Sequence, residues 1–160
     1  MKHILSVIVD NRPGVLTRVT SLFARRGFNI DSLAVGVTED ETLSRITLVV
    51  HGKDTPVEQI IKQLFKLINV IKISDLSESD YVARELVLIK VNATPDTRAE
   101  IIEIANVFRA KVIDVGKNSL TIEATGTEDK LDALEDLFRS FGIKELVRTG
   151  KIALSRGSRE

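Results

Sequence analysis

The sequence predicts an α+β chain built from two βαββαβ units, each a four-stranded antiparallel sheet with both helices on one face. Three observations predict it. Apolar residues switch repeatedly between a period of two and a period near 3.6. The order strand, helix, strand, strand, helix, strand runs once up to residue 76 and again after residue 84. Capping residues and glycines mark the places where the period changes. Between the two runs, Ser77-Glu78-Ser79-Asp80 has no apolar period, so the chain divides into 1–76, a linker at 77–83, and 84–160.

In the first unit, His3 to Val9 reads as a strand with Leu5, Val7 and Val9 on one face and Ile4 and Ile8 on the other. Pro13-Gly14 makes a turn, and Val15, Leu16, Val19, Leu22 and Phe23 follow at helical spacing. Arg25, Arg26 and Gly27 stop that helix. Phe28 to Val37 is extended, but its parity shifts between Ile30 and Leu33, which predicts a bulge near Asp31-Ser32. Leu43 to His51 buries Ile46, Leu48 and Val50. Thr55-Pro56-Val57-Glu58 has the pattern of an N-cap, a proline at N1 and a capping-box glutamate. Val57, Ile60, Ile61, Leu64 and Ile68 form the stripe of the helix it opens, and Val70 to Leu76 is the closing strand.

The second unit repeats the plan. Leu86 to Val91 is a strand, Thr94-Pro95 opens a helix carrying Ile101, Ala105 and Phe108, and Lys111 to Val115 is the next strand. Gly116-Lys117-Asn118 turns into a strand in which Leu120, Ile122 and Ala124 alternate. Thr127 caps a helix with Leu131, Leu134, Phe138 and Phe141 on one stripe, and Gly142 ends it. Ile143 to Thr149 is the last strand and Ser155 to Glu160 a polar tail. This is the ferredoxin-like arrangement, twice. With both helices on one side, the other face of the first sheet would expose Ile4 and Ile8, and its second strand would keep an open edge. Self-association or a partner chain is therefore expected.

Composition removes several classes of function. Of 160 residues, 23 are Lys or Arg and 23 are Asp or Glu, so no basic excess marks a nucleic-acid or anionic-membrane surface. Aromatics are 4% of the chain, and the first and third strands carry none, which argues against the base-stacking RNA-binding use of this element order. No cysteine is present, which excludes thiolate catalysis and Cys-based zinc sites. No apolar run reaches membrane-spanning length and no signal peptide is evident, so a cytoplasmic protein is expected.

The candidate groups are few. His3 and His51 lie on strands that should be neighbours, without ligand spacing or supporting carboxylates, and read as sheet-edge histidines. Asp10 and Asp31 sit at turns, Glu128 and Asp129 suit a helix N-terminus, and Arg45 beside Ser44 could face a partner chain or an internal carboxylate. No nucleophile–base pair or nucleotide fingerprint occurs. What remains is Asp10 to Ile30. Gly14, lacking a Cβ, stands at a helix N-terminus whose N–H groups could receive a carboxylate or phosphate, with Asn11 and Asn29 near by. The residues alone leave two readings: a turn that only shapes the chain, or a small-anion site.

A resemblance bears on that choice. The segment N-R-P-G-V-L-T-R-V-x-x-L-F-x-R-R-G-F-N-I-D-S-L-A-V-G, then T-L-S-R-I-T, Q-L-x-K-L-I-N-V, R-E-L-V-L-I-K-V and L-S-R-G, resembles the regulatory small subunits of acetolactate synthase over nearly the whole chain. The first unit resembles an ACT domain, a ferredoxin-like module that commonly binds amino acids, and the second resembles the family's C-terminal domain.

The resemblance implies a non-catalytic chain acting in branched-chain amino-acid synthesis. It would raise the activity of a separate catalytic subunit, which carries thiamine diphosphate, Mg2+ and FAD and condenses two pyruvates to 2-acetolactate and CO2. It would also confer feedback inhibition by valine, sometimes with leucine or isoleucine. The small subunit itself would hold no cofactor and no metal. Its ACT domains would pair as a homodimer with valine between them, Asn11, Gly14, Val15 and Leu16 of one chain facing Asn29 and Ile30 of the other. A stand-alone ACT-type amino-acid-binding regulator and a small enzyme in its own right are the alternatives.

Overall fold

The computed structural model describes residues 2–52 and 56–157. Strands β1 (Lys2–Asp10), β2 (Asn29–Val37), β3 (Leu43–His51) and β4 (Val70–Asp75) pair antiparallel in the order β2-β3-β1-β4. Helices α1 (Val15–Arg25) and α2 (Val57–Leu64) follow β1 and β3. The alternation in β1 has the expected result: Leu5, Val7 and Val9 join Ile46, Leu48 and Val50 of β3 in a core closed by Val15, Val19, Leu22 and Phe23 of α1 and Val57, Ile60 and Leu64 of α2. The expected bulge is present, as the β2–β3 register slips between Ile30 and Ser32 and leaves Asp31 as the extra residue.

Three local expectations are corrected. Helix α2 starts at Val57 with Pro56 at the N-cap, one place later than read, and Thr55 lies outside the described residues. That helix ends at Leu64, and N–H to C=O bonds three residues apart (Lys66 to Gln63, Leu67 to Leu64) tighten the chain beyond it. The tighter winding turns Leu67 onto the core in place of Ile68, which is 94% exposed. The segment read as a linker is not plain coil, for Leu76–Glu78 is a 3-10 turn capped by Asp75, and Leu76 is buried.

The outer face of the first sheet is also less bare than expected. A strand absent from the sequence reading, β9 (Ile152–Ser155), pairs with β5 (Tyr81–Asn92), and the Arg156 N–H donates to the Asp80 carbonyl at 3.0 Å. Ala153 of β9 buries Ile4, Val49 and Leu76, with Tyr81 and Ala83 packed alongside. Ile4 is thereby only 6% exposed, whereas Ile8 stays half-buried. Compact unit one accordingly runs to Ala83 and takes in the segment from Lys151 onward, and unit two is Arg84–Gly150. The reading that gave all of 84–160 to the second unit is amended at its end, because an apolar residue in β9 completes the first unit's sheet face.

In the second unit, β5, β6 (Lys111–Val115), β7 (Ser119–Gly126) and β8 (Ile143–Arg148) follow the same order, β6-β7-β5-β8. Helices α3 (Arg98–Val107) and α4 (Glu128–Arg139) bury Ile101, Ala105, Leu131, Leu134 and Phe138 against Val87, Ile89, Val91, Leu120 and Ile122. Thr127 caps α4 as read, accepting from the Lys130 N–H. Helix α3 begins three residues later than read, after a turn in which the Thr94 carbonyl accepts from the Thr97 and Arg98 N–H groups. Arg148 of β8 binds Glu85 of β5 at 2.5 Å and Asp132 of α4 at 2.6 Å. Burial alone would lower its pKa, but these carboxylates more than offset that and hold the guanidinium above its ordinary value.

Candidate functional site

The β1–α1 turn is built by backbone geometry. Asp10 ends β1, where the Asn69 N–H group of its side chain reaches the Asp10 carboxylate at 3.0 Å. The Asn11 N–H donates to the Thr42 carbonyl at 2.8 Å and its side-chain amide to the Glu41 carbonyl at 3.1 Å, so both ends of Asn11 are tied to the β2–β3 loop. Gly14 then takes φ +85°, ψ −13°, a left-handed conformation that suits glycine, and α1 starts with no side chain capping it and no acidic residue in its first turn. The helix end that would attract an anion thus has neither a capping side chain nor an acidic residue in its own first turn. Space around Gly14 is open: beyond its two chain neighbours, no atom of the described residues comes within 4 Å of where a Cβ would stand. Val15 points into the core at 3% exposure, and Leu16, 38% exposed, lies at the surface.

The other half of the candidate site is set by the end of α1. The Phe28 N–H bonds to the Phe23 carbonyl at 3.0 Å and the Gly27 N–H to the Ala24 carbonyl at 3.3 Å, with Gly27 at φ +77°. This is the Schellman pattern, and its usual apolar contact is an edge-to-face pair of Phe23 and Phe28 with centroids 6.1 Å apart. The lock delivers the chain into β2 with Asn29 exposed and Ile30 half-buried against the core. Asn29 donates its amide to Asp31 Oδ1 at 2.8 Å, and His51 Nδ1 donates to Asp31 Oδ2 at 2.8 Å. Lys2 Nζ stands 4.0 Å from the same carboxylate. The hydrogen bond from His51 is the main reason that Asp31 titrates below the usual carboxylate range; burial, second in size, opposes it, and Asn29 and the charges of His51 and Lys2 add to the lowering.

Within one chain the two halves do not meet. Asn29 pairs with His51, which pairs with Lys2 at the start of β1, whereas the turn follows Asp10 at its other end. Eight steps along the strand separate Lys2 from Asp10, roughly 27 Å at 3.4 Å per step. Asn11, Gly14, Val15 and Leu16 thus form one cluster, and Asn29 and Ile30 another.

The remaining candidates resolve separately. His3 bonds Asp75 at 3.2 Å and His51 bonds Asp31, each on a different face of the sheet, so the two imidazoles do not converge. Among the described residues no group of three His, Asp or Glu side chains could hold a metal ion. Arg45 lies along the outer face and donates to Ser6 at 2.5 Å. Glu128 and Asp129 occupy the first turn of α4. From the sequence, Asp31 and His51 read as unrelated turn and edge residues. The predicted bulge was the signal that could have joined them, since a bulged residue is re-aimed out of the strand's alternation.

Comparison with known proteins shows the family. Residues 5–72 match the model of the AHAS small subunit-like ACT domain, and residues 84–157 match that of the small subunit of acetolactate synthase. The chain is 58% identical to the probable acetolactate synthase small subunit of Archaeoglobus fulgidus, over 100% of both chains. It is 59% identical to the acetolactate synthase small subunit of Mycolicibacterium smegmatis, over 98% of this chain and 92% of that one. The crystal structure of the acetolactate synthase small subunit from Thermotoga maritima superposes with a TM-score of 0.89 at 42% identity, covering 98% of each chain. An ACT unit and its C-terminal companion, in this order and over this whole length, make the chain a member of the acetolactate synthase small-subunit family.

Proposed function

We propose that this chain activates an acetolactate synthase catalytic subunit and makes it sensitive to valine, through a valine site formed by two ACT units. The single observation that carries the proposal is the placement of the two clusters at opposite ends of one sheet whose outermost strand, β2, is paired only with β3 among the described residues. Two copies joined edge to edge at β2 about a two-fold axis run antiparallel, so the Asn29 end of one chain lies at the Asn11–Leu16 end of the other. Val35 and Val37, exposed on β2, give that junction apolar area.

In such a pair, the N–H groups at the start of α1 receive the valine carboxylate and the Asn11 and Asn29 oxygens or nearby carbonyls receive its ammonium. Leu16 and Ile30 enclose the isopropyl group, while Val15, buried in the core, holds the start of α1 in place. Valine then favours one arrangement of the pair over another, which is what a feedback effector must do to alter a distant catalytic chain. The condensation of pyruvate belongs to that cytoplasmic partner, where thiamine diphosphate, Mg2+ and FAD are expected. This chain contributes activation and regulation.

Reconstitution tests the proposal. Purified catalytic subunit should form acetolactate faster when this chain is added, and valine should lower the rate toward that of the catalytic subunit alone. No stimulation, or stimulation indifferent to valine, would overturn it. Acetolactate formed by this chain without a partner would overturn its non-catalytic assignment.

A further inference from the structure

An asparagine amide has a donor end and an acceptor end of nearly equal shape, and a bound ligand meets one or the other. At Asn29 the choice is made by a neighbour. We propose that Asp31, anchored by His51, is a positioning residue that turns the Asn29 carbonyl oxygen toward the effector and so selects ligands bearing an ammonium group. This rests on the effector site proposed above and adds to it the device that sets its preference for amino acids.

The chemistry follows from the acceptor character of a carboxylate. Ionised Asp31 has no proton to give, so whatever approaches its oxygens must donate. Asn29 therefore presents its NH2 to Oδ1 at 2.8 Å, and Nδ1 of His51 carries the proton shared with Oδ2 at 2.8 Å. With the NH2 engaged, Oδ1 of Asn29 is left as an acceptor, and it takes no hydrogen bond from any of the described residues. Asp31 reaches both neighbours because it is the extra residue of the β2 bulge, while Asn29 and His51 are directly paired across β2 and β3. The three side chains thus come from two strands whose register is fixed by the core beneath them. An ammonium meeting Asn29 Oδ1 gains a hydrogen bond near a carboxylate. A ligand lacking that group leaves the oxygen facing no donor.

The test is calorimetric titration of the full-length protein at neutral pH with valine and with 3-methylbutanoate, which keeps the carboxylate and branched chain but lacks the ammonium. Wild type should prefer valine. Asp31→Ala should weaken valine about tenfold, roughly 1.4 kcal/mol, and leave 3-methylbutanoate unchanged, so that the preference shrinks by the same factor. Asp31→Asn, nearly isosteric and safe for folding, should shift the preference in the same direction, since an amide at this position can accept or donate and releases Asn29. Either folded variant keeping the wild-type preference, or losing both ligands equally, would overturn the positioning role while leaving the effector site intact. Wild-type protein that binds no valine would instead overturn the effector site itself, and this proposal with it.

Discussion

Gly14 decides more than its size suggests. Its left-handed backbone and the open space around it mean that a side chain there meets solvent or ligand, not the core. Gly14→Asp should cost about 1 kcal/mol of stability through backbone strain alone, yet remove valine binding, because a carboxylate would stand where the proposed site receives that of valine. In thermal melts, valine at about a hundred times its dissociation constant should stabilise wild type by roughly 2.7 kcal/mol. The variant should show no such gain. A second expectation concerns acid. Asp31 is held ionised below the usual carboxylate range, so its contribution to folding and to valine binding is complete above the ordinary value of about 4. It is lost only as pH falls through the lowered pKa. Valine affinity should therefore stay level from neutrality down to about pH 4 and decline below it, as followed by titration across that range. Gly14 and Asn29 were legible from the sequence, one as a turn residue and the other as a polar residue among apolar ones. The Asp31–His51 bond was not, because it depends on a register between strands some twenty residues apart.

Most elements were visible because periodicity and punctuation agreed. Gly27 and Gly142 marked the ends of α1 and α4, and the parity shift in β2 marked its bulge. Two helix starts and one helix end moved by one to four residues, where turns of 3-10 type replaced the α-helical spacing that the pattern assumed. Helix α3 ends in the same Schellman pattern as α1: the Ala110 N–H reaches the Ala105 carbonyl at 2.8 Å and the Arg109 N–H the Asn106 carbonyl at 3.1 Å. Here the left-handed position is held by Arg109 at φ +56°, not by glycine. Its side chain is exposed. Arg109→Gly should thus relieve strain and raise stability by about 0.5–1 kcal/mol, net of glycine's larger unfolded-state entropy. Urea denaturation, read as a higher midpoint at unchanged slope, checks it.

At the scale of the whole molecule, duplication was the legible feature and discontinuity was not. Two βαββαβ runs can be counted along the chain. That residues beyond Lys151 complete the first unit cannot, since a four-residue strand with one buried alanine has no periodicity to announce it. Removing residues 151–160 should leave the second unit's core unchanged but uncover Ile4, Val49 and Leu76. The first unit should lose about 1–3 kcal/mol, by the transfer cost of the apolar area re-exposed. Hydrogen exchange should report it as faster amide exchange in β1 and β3 and in the part of β5 that β9 pairs, with protection in β7 retained.

The late arrival of β9 also sets a timetable. A ribosome extends a chain at about 5–20 residues per second, and every residue from Arg84 to Gly150 is made between the first sheet and the strand that finishes it. For several seconds, then, the nascent first sheet emerges with Ile4, Val49 and Leu76 uncovered. Chaperone capture and premature association during synthesis should concentrate on that face, in the interval before Ala153 leaves the exit tunnel.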